Sequence, residues 1–154
     1  INFLVLGTGE QWMMDRFRQM IQRFRGRFNA SLEYNESLAH QLYAGSDFLI
    51  MPSRVEPCGL NQMYAMRYGT IPIVRKIGGL IDTVPDIGEP DGSGRGIQFS
   101  NFSMEDGFLA IYRAAELYYN HRELLERIRY NIMQVDFSWE RSAGDYIRIY
   151  REMM

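Results

Sequence analysis

A chain of 154 residues, 46% hydrophobic and 14% aromatic, is long and apolar enough to bury one core, so a single globular domain over 1–154 is the expectation. Its 17 basic and 19 acidic residues leave a formal charge of −2, which argues against nucleic acid or an anionic membrane as a partner held by bulk charge. One cysteine, Cys58, excludes an internal disulfide, and the apolar runs are too short to span a bilayer, so the expectation is a soluble protein of a reducing cytoplasm.

In chain order, Asn2–Leu6 reads as a buried strand already under way at the first residue, which suggests a piece of a longer protein. Gly7-Thr8-Gly9 turns it into a helix marked by Trp12, Met13, Phe17, Met20, Ile21 and Phe24 at helical spacing. A second strand is predicted over Phe28–Tyr34, and a short helix over Ser37–Ala44 closed by Gly45. The run Asp47–Met51 reads as a strand covered on both faces and ended by Pro52. A helix follows from Cys58 to Tyr68, stopped by Gly69, and then a buried strand over Ile71–Val74. Glu89–Gly96, dense in glycine and charge, reads as a surface loop. Phe108–Tyr119 and Glu123–Met133 carry apolar stripes for two helices, and Ser138 opens a last one running to Met154. Strands alternating with helices imply parallel pairing, hence an α/β fold with a Rossmann-like open parallel sheet flanked by helices.

Such sheets bind ligands beyond the carboxyl ends of their strands. The stretch after Met51 puts a carboxylate, Glu56, in a strand-to-helix loop at that edge. A helix starting near Cys58 offers the unpaired N–H groups of Cys58, Gly59, Leu60 and Asn61, suited to a diphosphate, and Gly59 leaves room for its approach. Arg75-Lys76-Ile77-Gly78-Gly79 and the residues up to Val84 read as a second loop on the same edge. Plainer readings stand beside these. Glu56 would also serve as a helix cap, Tyr34 as sheet packing, the glycine pair as a tight turn, and Arg75 and Lys76 as solvated charges.

The run Pro52-Ser53-Arg54-Val55-Glu56-Pro57-Cys58-Gly59-Leu60-Asn61-Gln62, then Met66–Thr70, then Gly78-Gly79-Leu80-Ile81-Asp82-Thr83-Val84, resembles the nucleotide-sugar-binding C-terminal domain of bacterial-type glycogen and starch synthases. Phe137-Ser138-Trp139 with Ala143 and Tyr146 resembles the closing helix of that domain, here at about 138–154. The resemblance implies a GT-B glycosyltransferase that moves glucose with retention from a nucleotide diphosphate sugar, ADP-glucose in bacterial relatives, to the non-reducing end of an α-1,4-glucan. It implies no metal and no cofactor beyond that donor.

Position by position, the resemblance makes Glu56 the carboxylate against the donor glucose, Cys58, Gly59 and Leu60 the loop meeting sugar and phosphates, and Asn61 a helix-start contact to phosphate. Tyr34 matches an aromatic that packs on the base, and Tyr64 stands where the wider superfamily has a second glutamate. The glucan acceptor falls to a first domain that this chain does not match, so the chain alone is expected to be inactive. A stand-alone nucleotide or sugar-phosphate binding module is the alternative. A third reading is an interaction domain, dimeric through Trp139, Tyr146, Ile147 and Tyr150 on the last helix or through a strand edge.

Overall fold

The computed structural model describes residues 1–88 and 93–154, and the chain divides into two compact units, Ile1–Leu42 and Tyr43–Met154. Of the loop expected over Glu89–Gly96, residues 89–92 lie outside the described residues.

In the first unit β1 (Phe3–Leu6) pairs in parallel with β2 (Phe28–Ser31), Phe3 opposite Phe28, and α1 (Gln11–Arg23) makes the crossover. Phe17 of α1 stacks on Phe28 at 6.0 Å between ring centres. The second strand ends at Ser31, short of the Tyr34 expected. Beyond it the backbone is already committed to the next helix, because Asn35 Oδ1 accepts the Leu38 N–H at 2.9 Å, the bond of a helix N-cap. That helix, α2 (Glu36–Gly45), carries the chain into the second unit.

The second unit holds a parallel sheet of order β3 (Phe48–Met51), β4 (Ile71–Arg75), β5 (Ile97–Phe99). Its helices are α3 (Asn61–Arg67), α4 (Gly79–Thr83), α5 (Met104–Asn120), α6 (Arg122–Met133) and α7 (Trp139–Glu152). The strand covered on both faces is β4, whose Ile71, Ile73 and Val74 are buried, whereas Phe48, Leu49 and Ile50 of β3 are half-buried because β3 is at the border of this sheet. One apolar cluster joins Ile71 and Val74 to Met66, Leu80, Leu117, Leu125, Ile128 and Ile132, and a second joins Ile73 to Ile97, Phe99, Ala110 and Ala114.

A proline in a middle strand removes a ladder donor, and the position of Pro72 explains why this one is tolerated. Ile71 N–H donates towards β3, to Asp47 O at 3.1 Å, so the next residue faces the other neighbour, and pairing with β5 begins only at Ile73. The strand β5 was not foreseen from the sequence, and the segment after Gly79 is a one-turn helix rather than a loop. Ser103 and Ser138 cap α5 and α7, accepting the N–H of Asp106 at 3.1 Å and of Arg141 at 3.3 Å. No residue of α7 is buried, and Trp139 is 85% exposed.

Asp86 ties β5 to α5. Its carboxylate takes Arg113 at 2.6 and 3.0 Å, the Gln98 N–H at 2.7 Å and the Gly88 N–H at 2.8 Å. Burial acts to raise its pKa, but the Arg113 hydrogen bonds and the two main-chain donors prevail and hold it below the usual carboxylate value. A depressed folded-state pKa contributes stability that is complete above the unfolded value near about pH 4 and is lost as the pH falls through the lower folded value. Asp86→Asn is therefore expected to cost about 2 kcal/mol at pH 7 and progressively less below about pH 4 in denaturant titrations. An equal cost at pH 7 and pH 3 would remove the charge of Asp86 from the account.

Candidate functional site

Because β3, β4 and β5 run parallel, their carboxyl ends share one edge, and three segments leave from it: Pro52–Leu60, Lys76–Gly78 and Ser100–Ser103. Glu56 lies in the first of these, where its Oε2 accepts the Ser53 hydroxyl at 3.1 Å. It does not cap α3, whose first residue is Asn61 and whose N-cap residue, Leu60, provides no side-chain bond.

The helix starts later than expected. Gly59 has φ +74°, a left-handed conformation that a continuing α-helix excludes, so Cys58, Gly59 and Leu60 are loop residues and only Asn61 is in the first turn. The consequence for the amides is small: among the described residues no hydrogen bond engages the main-chain N–H of Cys58, Gly59, Leu60 or Asn61. They are donors held by a fixed loop rather than by a helix terminus.

What fixes the loop is largely main chain on main chain. A Cβ at Gly78 would stand 1.8 Å from Glu56 O, and one at Gly79 would stand 2.6 Å from Cys58 O. Gly79 N–H donates to Pro57 O at 3.0 Å. The glycine pair is thus more than a tight turn, since it permits the second segment to lie directly on the backbone of the first. Gln62, fully buried, adds a stitch: its Nε2 donates to Cys58 O at 3.1 Å, to Gly59 O at 3.0 Å and to Thr83 Oγ1 at 3.2 Å. Its Oε1 is buried with no hydrogen-bond partner among the described residues, 2.5 Å from where a Cβ on Gly59 would be. Gly59 is therefore needed first to admit the Gln62 amide.

Arg75 is not a free solvated charge. Its Nε and Nη2 donate to Ser53 O at 2.8 Å and Arg54 O at 2.7 Å, and its guanidinium lies 5.7 Å from the centre of the Phe102 ring. Sequence reasoning placed Ser53 and Gln62 within the motif but gave them no role, and it missed Phe102 as part of this edge. The signal for Gln62 was a polar residue on the stripe of α3 that also carries Ala65 and Met66, both buried. Tyr64, also on α3, packs towards Tyr43 at 6.3 Å. Burial first, and then Tyr64, push the pKa of Tyr43 up, so its hydroxyl stays protonated at neutral pH.

The structure thus gathers Glu56, Cys58, Gly59, Leu60 and Asn61 on one segment, with Cys58 and Leu60 exposed. Tyr34 belongs to the first unit, three residues past the end of β2 rather than at a strand end, and is 84% exposed. Among the described residues no group of three His, Cys, Asp or Glu is placed to hold a metal, and no helix is long and apolar enough to cross a membrane.

No protein-family model matches the chain. It is similar to a glycogen synthase of Flavobacterium johnsoniae, 49% identical over 150 residues, covering 97% of this chain and 31% of that protein. It is also similar to a glycogen synthase of Desulforudis audaxviator, 44% identical over 154 residues, covering all of this chain and 31% of that protein. Among solved structures, the catalytic domain of starch synthase IV from Arabidopsis thaliana, bound to ADP and acarbose, superposes with a TM-score of 0.88 at 38% identity, over 98% of this chain and 32% of that one. The chain spans about a third of the length of these relatives.

Proposed function

We propose, for a chain that belongs to the glycogen and starch synthase family, that it is the donor-binding part of a retaining glucosyltransferase. The reaction is transfer of glucose from ADP-glucose to the non-reducing end of an α-1,4-glucan: the bond from C1 to the diphosphate breaks, and C1 bonds to a terminal glucan hydroxyl, whose proton leaves with the diphosphate. The observation that carries this reading is a carboxylate, Glu56, held by Ser53 on a loop whose next main-chain donors, Cys58 to Asn61, are engaged by no hydrogen bond among the described residues. Donors fixed in advance stabilise the charge that builds on a departing diphosphate without reorganising, and a nearby carboxylate stabilises the positive charge at the sugar carbon.

In this reading Glu56 faces the donor glucose, Cys58, Gly59 and Leu60 meet sugar and phosphate through main chain, and Asn61 adds a phosphate contact. Within the first unit, taken by itself, Tyr34 is an exposed aromatic able to stack on a planar ring. The diphosphate needs neither a metal nor a further cofactor. The glucan is held by parts of the full-length protein outside this chain, and the setting is a reducing cytoplasm in which Cys58 stays a thiol.

Incubating the full-length protein with glycogen and radiolabelled ADP-glucose is expected to incorporate glucose into polymer, faster than with UDP-glucose. Binding of ADP without incorporation from any nucleotide glucose would favour the stand-alone binding module instead.

A further inference from the structure

The orientation of the Glu56 carboxylate is set from outside its own loop. It accepts the Ser53 hydroxyl at 3.1 Å, so its direction depends on where Ser53 stands. Ser53 is gripped from the end of β4, where Arg75 Nε donates to Ser53 O at 2.8 Å and Arg75 Nη2 to Arg54 O at 2.7 Å. A guanidinium presents its donors as a rigid planar fork, so two consecutive carbonyls on one fork fix both the distance and the rotation of that peptide. The fork is itself seated: the Phe102 ring lies 5.7 Å from the Arg75 guanidinium and 5.0 Å from that of Arg54. This aromatic contact limits the planes that Arg75 can adopt.

We propose that Arg75 is a positioning residue that acts on Glu56 through Ser53, with Phe102 setting the plane of its guanidinium. The proposal rests on the reading of Glu56 given above. It differs from a charge effect, in which any cation at position 75 would serve the diphosphate or balance the carboxylate. A lysine ammonium keeps the charge but does not span two carbonyls as a fork does.

The test is donor kinetics in the full-length protein for Arg75→Met, Arg75→Lys and Ser53→Ala, each alone and combined with Glu56→Gln. Arg75→Met is expected to lower kcat about 10- to 100-fold with KM changed only a few-fold, the signature of a misaligned reacting group. Arg75→Lys should be almost as slow, and Ser53→Ala, which leaves both carbonyls in Arg75's grip, should lose several-fold. In the Glu56→Gln background the Arg75→Met and Ser53→Ala effects should shrink to within about two-fold, since the group they aim has lost its charge. Wild-type kcat for Arg75→Lys, or equal losses from Arg75→Met with and without Glu56→Gln, would overturn the proposal. A wild-type rate for Glu56→Gln alone would instead sink the underlying reading, and a slow Glu56→Gln beside a fast Arg75→Met would sink only the positioning role.

Discussion

Glu56→Gln in the full-length protein is expected to lower kcat for glucosyl transfer about 10²- to 10³-fold while leaving KM for the donor within a few-fold. The substitution keeps shape and still accepts the Ser53 hydroxyl, which reaches Oε2 at 3.1 Å, so the loop has no reason to move. What it removes is a negative charge, and a fixed charge matters most at the instant when positive charge builds on the sugar carbon. The ground state, in which the donor glucose is neutral, loses little. Steady-state rates on ADP-glucose separate these quantities, and activity within a few-fold of wild type would take Glu56 out of the mechanism.

Gly78→Ala is expected to damage both stability and activity. The residue has φ +50°, where a side chain is strained, and an added Cβ would be 1.8 Å from Glu56 O and 2.9 Å from Glu56 C. Those atoms are main chain and cannot swing aside like the tip of a flexible side chain, so the Glu56–Pro57 peptide must shift. Strain and displacement together are expected to cost about 3 kcal/mol, a fall in Tm of about 10 °C. Gly107→Ala is the control, because that glycine lies inside α5, has no positive φ and would place its Cβ in open space. It should be neutral or stabilise by up to about 1 kcal/mol. Thermal melts of the two variants should therefore move apart, and a melt of Gly78→Ala at the wild-type temperature would contradict the backbone contact.

Much of this was written in residue order. The parallel α/β plan follows from apolar runs such as Phe48–Met51 and Ile71–Val74 separated by helical spacing, and the structure pairs those strands in parallel. Three elements escaped for physical reasons. Periodicity placed the start of α3 at Cys58, but the left-handed backbone at Gly59 delays it to Asn61, and apolar spacing carries no information about φ. The strand β5 spans only Ile97–Phe99, too short for an alternating pattern to stand out. The helix α4 is a single turn, Gly79–Thr83, and its glycine start reads locally as a bend.

The edge shows the same division. Glu56 and its glycine-bearing loop were legible because their chemistry sits within a few consecutive residues. The grip of Arg75 on Ser53 and Arg54 and the stitch from Gln62 to Thr83 join residues far apart in sequence, and only folding makes them neighbours.

The platform that the proposed function would set under its ligand is built from peptide groups, with Gly78 and Gly79 laid against Glu56, Pro57 and Cys58. Peptide groups are common to all twenty amino acids, so such a surface survives replacement of the side chains that point away from it. Val55 and Leu60, 74% and 56% exposed, are side chains with little packing to lose. Libraries randomised at these two positions should therefore yield folded proteins at high frequency, whereas libraries at Gly78 and Gly79 should not.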